Sequence, residues 1–287
     1  MSKEVLILTD SCCDLPQSYL DINNVKMLSY VINLKDKSYL DRIDINTKDM
    51  FKKIDQAKEI TKTAAISPAQ FKDYFKQYAD EYDVVYIGLA SGFSSTFNSA
   101  SLAAEEFDNV YTVDSQNLSS GIGLLVNKAV KFRNEGFSAK EIAEKVRELV
   151  PLVRVQFVID TLKYLHMGGR CSGTAKIFGT ALRLKPIIRV LDNKMVVAKK
   201  PIGYSKGLQA LLGYLEQDKD NIDEDMMTIT HCLADEDAKY LKEKIPTIID
   251  HKNLVETHAG CVISTHCGPR CIGILYILKH QKNNEEE

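Results

Sequence analysis

Short, almost wholly apolar runs alternate with helical periodicity through the first half of the chain, and this alternation limits the fold more than any other feature. "EVLILTD" (4–10), "VKMLSYVINL" (25–34), "DVVYIGLA" (83–90) and "NVYTVDS" (109–115) each read as a strand. "SPAQFKDYFKQYADEY" (67–82) opens with a serine cap and a proline at the first helical position, and it spaces Phe71, Phe75 and Tyr78 along one face. Further helices are expected from about Ser95 to Phe107 and from about Leu118. Strands this continuously apolar are covered on both faces, which is the pattern of a doubly wound parallel sheet.

The texture changes after about residue 150. "VRVQFVID" (153–160), "KPIIRVLDNKMVVAKKPIG" (185–203), "MMTITHCLA" (226–234) and "GCVISTHCGPRCIGILYIL" (260–278) read as strands, with a hairpin turn at Asp192-Asn193. Helices over 205–217 and 234–245 intervene. The expectation is an α/β fold of two domains. Residues 1–152 form an N-terminal α/β domain with a doubly wound parallel sheet, and 153–287 a C-terminal α+β domain with a mixed or antiparallel sheet. The charged tail "KNNEEE" (282–287) reads as a frayed end.

With 287 residues, 45% of them hydrophobic, the chain can bury a sizeable core. A net charge of −2 supplies no field that would draw it to nucleic acid, and membrane contact is expected to be transient at most. The amino terminus lacks the apolar core of a secretory signal, so a cytoplasmic location is expected. Seven scattered cysteines fit reduced thiols better than a disulfide framework. His266, Cys267 and Cys271 lie close in sequence, yet there is no CxxC pair, so buried thiols are favoured over zinc.

Four segments offer polar chemistry, and each has a structural reading beside the functional one. "VVYIGLASGFSSTFNSA" (84–100) sets Ser91, Gly92, Ser94, Ser95 and Thr96 where a strand hands over to a helix, the place where open α/β sheets hold ligands and where free amides favour an anion. "LTDSCCDLP" (8–16) reads first as a capped helix start, and "TKTAAISPAQF" (61–71) places Thr63 on a loop. In "DTLKYLHMGGRCSG" (160–173) the Gly168-Gly169 pair stops a helix, and Arg170 is free for a carboxylate, a phosphate or a domain-interface salt bridge. "VISTHCGPR" (262–270) puts His266 after an apolar strand, on a loop. The serine-rich turn lacks the spacing and lysine of a P-loop, and no GxGxxG, GxSxG or HExxH occurs. A Ser94–His266–Asp set can be drawn only by selection.

Taken together, in this order, these segments resemble the DegV family of bacterial fatty-acid-binding proteins. "ILTDSCCDLP", "TKTAAISPAQF", "GLASGFSSTFNSA", "TVDSQNLSSGIG", "FVIDTLKYLHMGGR", "LRLKPII" and "HCGPRCIGI" are similar to successive family blocks and span nearly the whole chain. The resemblance implies a non-catalytic carrier that holds one long-chain fatty acid as ligand, without a cofactor or metal. It places the carboxylate between two domains at Thr63, Ser94 and His266, with Ser95 and Arg170 as secondary candidates. It also implies presentation of the acid to a fatty-acid kinase, which makes an acyl phosphate for phospholipid synthesis.

The chain departs from the family pattern at several of these blocks. Ala64 stands where the family usually has serine, Ser95 and Arg270 stand where it has glycine, and "GYSKG" replaces a frequently Arg-rich segment. Arg270 and Lys200 are therefore candidates for contacting a partner or a head group. The alternative reading is an enzyme acting on a small phosphorylated or carboxylated metabolite, because the family fold looks similar to dihydroxyacetone-kinase domains. A third is a regulator whose ligand state controls a partner. Turnover with nucleotide, copurifying lipid and ligand-dependent partner binding would separate the three.

Overall fold

A computed structural model describes residues 3–171 and 183–281. The tail 282–287, Leu182 of the "LRLKPII" block, and Ser172 and Gly173 lie outside these residues.

Strands β1 (Glu4–Asp10) and β2 (Val25–Leu28) pair in parallel. β3 (Val31–Leu34), β4 (Lys37–Leu40) and β5 (Lys62–Ala64) form a separate antiparallel sheet in the order β4-β3-β5. β6 (Tyr82–Gly88) and β7 (Val110–Asp114) return to the first sheet, giving four parallel strands in the order β2-β1-β6-β7. The helix Pro68–Ala79 begins with the expected cap, a reciprocal capping box between Ser67 and Gln70. It buries Phe71 and Phe75 edge-on against Tyr86 of β6.

A second, mixed sheet holds β8 (Val153–Val158), β9 (Ile187–Leu191), β10 (Lys194–Lys199), β11 (Met227–Cys232), β12 (Leu254–His258) and β13 (Cys271–Ile277). Its order is β10-β9-β8-β13-β11-β12, and only β11 and β12 run parallel. Asp192 and Asn193 take positive φ at the β9–β10 turn, as the hairpin reading requires. The helix Tyr204–Asp218 seals one face with Leu208, Leu211 and Leu215, which join Ile187, Ile229 and Ile274 in a common core.

Two expectations fail instructively. "VKMLSYVINL" is two strands in different sheets, not one. The break falls at Tyr30, whose N–H goes to Ser11 Oγ and whose carbonyl accepts from Asp41 N–H, so its backbone is withdrawn from any ladder. The run 260–278 is not one strand either, because a helix, Cys261–Cys267, precedes β13. Further elements went unread in the sequence, notably β4, β5, β12 and the helices Thr47–Ala57 and Ala139–Leu149.

Candidate functional site

The Cys261–Cys267 helix is the element that brings the site together. Val262, Ile263 and Thr265 are β-branched and favour a strand, but the first amides of the segment are claimed from afar. Gly260 N–H donates to Asp14 Oδ1 at 2.8 Å and Cys261 N–H to Asp41 Oδ1 at 2.9 Å. Both carboxylates are buried and held by hydroxyls as well, Asp14 by Ser119 and Asp41 by Ser11. Thr47 donates to Ala259 O, and Thr61 and Thr265 share a hydrogen bond of 2.7 Å. His266 is therefore on a helix, not a loop, and this helix is fixed to the first half of the chain. Burial pushes Asp14 up to about 7 despite its hydrogen bonds, and Asp10 to about 6.

The serine-rich turn is fixed from the opposite side. The β9–β10 turn presses on it so closely that a Cβ at Gly92 would lie 2.1 Å from Asn193 O. Asn193 Oδ1 accepts from Gly92 N–H, and Asn193 Nδ2 donates to Ser91 Oγ. Ile66 N–H donates to Thr96 Oγ1 and Thr96 N–H to Ser94 Oγ. Thr96 Oγ1 and Ser94 Oγ share a 3.0 Å contact in which either hydroxyl can donate. With Thr96 as the donor, the Ser94 O–H is open to a ligand.

Thr63, Ser94, Ser95, Arg170 and His266 all line one cleft, partly open to solvent, with a cavity volume of about 120 Å³. Thr63 lies in β5 opposite Ile32, not on a loop. Ser95 is exposed at the rim, and Arg170 is exposed with Nη1 donating to Gly168 O at 2.5 Å. Ala64 lines the wall where the family pattern has a hydroxyl. Leu118, Ile263 and Cys267 of the cleft also line a narrow apolar chamber with Val155, Phe157 and Leu275, its cavity volume about 20 Å³. Polar residues at the chamber's far side are already satisfied. Ser119 bonds to Asp14, Thr230 to Ser120 and Thr257, and His231 to Glu256 and Ala234 N–H.

His266 Nε2 lies 3.1 Å from Thr63 Oγ1, while the buried Nδ1 has no hydrogen-bond partner. A buried orphan N–H is rarer than an orphan acceptor, which assigns the proton to Nε2. His266 then donates to Thr63, and the Thr63 O–H is free for a ligand. Gly168 makes this possible, since a Cβ there would lie 2.4 Å from Nδ1. Burial, with Arg170 adding to it, lowers His266 to about 4, so the ring is neutral at pH 7. No carboxylate bonds to it, and a Ser–His–Asp relay does not form.

Other candidates have structural roles. Asp10 caps the turn after β1 through Cys12 N–H and accepts from Tyr86 Oη and Leu89 N–H. Arg270 pairs with Asp237 at 2.9 Å and stacks over Tyr204, which offsets its left-handed φ of 57° at a position suited to glycine. Lys200 is exposed. All seven cysteines are buried thiols.

Among the described residues, one group could hold a metal by proximity: His231, Glu256 and His258, with ligand atoms within 4.8 Å of one another. His231 Nδ1 accepts from Ala234 N–H, which puts the proton on Nε2 facing Glu256 Oε1 at 3.0 Å. A metal at Nε2 would displace that proton and break the Ala234 bond, and Lys242 already pairs with Glu256. These residues fit an ion-paired edge better than a metal centre. No helix among the described residues is long and apolar enough to cross a membrane.

Residues 4–279 match the family model described as "Uncharacterised protein, DegV family". A DegV domain-containing protein of Clostridium acetobutylicum is 32% identical over 281 residues, covering 97% of this chain and all of the relative. Among solved structures, a Thermus thermophilus DegV family protein described by its fatty acid binding superposes with a TM-score of 0.89 at 26% identity. It covers 96% of this chain and 99% of its own. A stearic acid-binding protein from Eubacterium ventriosum gives 0.80 at 26% identity, covering 97% and 99%. A near-full-length family match and a full-length relative above 30% identity place this chain in the DegV family.

Proposed function

We propose that this chain binds one long-chain fatty acid, its carboxylate in the cleft at Thr63, Ser94 and His266 and its acyl chain in the chamber beyond Leu118 and Ile263. The observation that carries the reading is a mouth lined by hydroxyls beside an apolar chamber, the two sharing Leu118, Ile263 and Cys267 as a common wall. The fatty acids bound by its structural relatives support it. Ser95 and Arg170 stand at the rim, where a cation favours the head group without burying it. The same proposal divides the chain into units 1–152 and 153–287, with the ligand between them.

A carboxylate leaving water must regain hydrogen bonds, and Thr63 and Ser94 supply O–H donors for it. Each buried methylene contributes about 0.8 kcal/mol, so a tail of fourteen gives roughly 11 kcal/mol before the cost of ordering it. The chamber thus supplies affinity and the mouth orientation. The role we read is carriage rather than catalysis, since the apolar wall beside the mouth suits an acyl chain and His266 donates to Thr63 instead of facing a nucleophile. Hydroxyl donors, unlike a buried arginine fork, leave a carboxylate oxygen free to attack a phosphoryl group, which suits presentation to a fatty-acid kinase. A small polar metabolite, the alternative substrate, would leave the apolar chamber unused.

Mass spectrometry of an organic extract of the freshly purified, denatured protein tests the reading. A near-stoichiometric C14–C18 fatty acid is expected. Absence of lipid, followed by no binding of added palmitate, would sink it.

A further inference from the structure

We infer that Tyr30 is a further head-group contact, its phenol O–H donating to the carboxylate held beside Ser94. The inference rests on the fatty-acid reading above and extends it to a residue that the family blocks do not include. Tyr30 is 2% exposed and lines the cleft together with Ser94, Leu89 and Phe93. Its backbone is pinned by Ser11 and Asp41, so the ring is held in place whether or not a ligand is bound. Its Oη is buried and has no hydrogen-bond partner. The hydroxyls of Thr96 and Ser94 lie close enough for weak hydrogen bonds to the phenol, yet neither makes one of full strength by distance and angle.

A buried hydroxyl without a partner is a cost that native structures rarely carry unless something else satisfies it. The hydroxyls beside it are engaged with backbone amides and with each other. Thr96 Oγ1 accepts from Ile66 N–H, Ser94 Oγ accepts from Thr96 N–H, and the two oxygens share a 3.0 Å hydrogen bond. An acceptor in the cleft is what the site lacks, and a carboxylate bound to the Ser94 O–H brings one. Tyr30 then adds a third hydroxyl donor to those of Thr63 and Ser94, at the position farthest from solvent. It favours an ionised head group, because a hydrogen bond to a charged acceptor is roughly twice as strong as one to a neutral acceptor.

Tyr30→Phe tests this with palmitate and hexadecanol as probes on the delipidated full chain, alongside the melting temperature of the empty protein. Palmitate affinity should fall about tenfold, hexadecanol affinity by threefold or less, and the empty variant should melt at the same or a higher temperature, having lost an orphan hydroxyl. A purely structural tyrosine would lower the melting temperature and move both ligands equally, or neither, and any of these results overturns the inference. The carboxyl ¹³C resonance of bound [1-¹³C]palmitate gives a second readout, which should shift in the variant. Unchanged palmitate binding by Tyr30→Phe beside a binding wild type overturns this inference alone. A wild type that binds neither probe overturns the fatty-acid reading and this inference with it.

Discussion

At the mouth of the cavity, Thr63, Ser94 and His266 come from a three-residue strand, a turn and a short helix; Thr63 and His266 bond across the chain, and Asn193 anchors the turn that carries Ser94. In the chamber, Val155 and Phe157 of β8 and Leu275 of β13 are neighbours in one sheet and need only the alternation of a strand to face one way. Polar geometry has been assembled from distant parts of the chain, and apolar volume from regular structure. The difference predicts that the two regions fail differently, the mouth by misplacement and the chamber by filling.

The largest effect should come from the shared wall. Ile263→Phe narrows the passage between mouth and chamber, and losing six methylenes of contact is worth about 5 kcal/mol. Retention of palmitate should fall by two orders of magnitude or more, measured by competition with a fluorescent fatty acid, while octanoate binding changes little. Equal losses for both would mean that the chamber does not receive the chain.

The shared wall is also held by Asp14, and this contact depends on pH. Its folded value, about 7, exceeds the ordinary carboxylate value of 3.8. The stability linked to its proton is therefore present below 3.8 and lost as pH rises through 7. Urea unfolding at pH 5 and pH 8 should show the wild type losing roughly 3 kcal/mol more than Asp14→Asn over that interval. Parallel curves for the two proteins would remove Asp14 from the account.

Mouth substitutions should cost less. Gly168→Ala suits the helix but displaces His266 from Thr63, and Thr63→Val removes the donor itself. Either should weaken palmitate about tenfold, a loss of about 1.4 kcal/mol, and Thr63→Val should also lower the melting temperature, because it leaves the His266 Nε2–H without a partner. A loss of fold in Gly168→Ala would show that the close approach serves packing alone. His266 sharpens the same comparison. It is held near 4 by burial and Arg170, and a bound carboxylate would pull it upward. A titration of the ring by NMR should give a higher value in the loaded protein than in the empty one. Smallest of all, Asp237→Ala strips Arg270 of its partner in a left-handed conformation, with an expected loss under about 1 kcal/mol because the pair is half-exposed. Palmitate affinity should be unaltered.

These contrasts also explain what could be read from the sequence. The parallel sheet was legible because β1 and β6 are short apolar runs beside periodic helices, and the β9–β10 turn because Asp-Asn tolerates positive φ. The Cys261–Cys267 helix was not legible, since its own residues favour a strand and the carboxylates that claim its first amides lie more than 200 positions away. Tyr30 was hidden inside what looked like one strand, and only the contacts of Ser11 and Asp41 divide it. Arg270 looked free because Asp237 is distant in sequence. Thr63, Ser94 and His266 were nameable through family resemblance, whereas their shared cleft depends on three-dimensional contacts that no local pattern encodes.

The most direct test of the division between mouth and chamber is calorimetric titration of the delipidated protein with saturated fatty acids of eight to eighteen carbons. The account predicts that each added pair of methylenes tightens binding by about tenfold until the chamber is full, after which affinity levels off or falls. Affinity independent of chain length would contradict it, because the head group alone would then be holding the ligand.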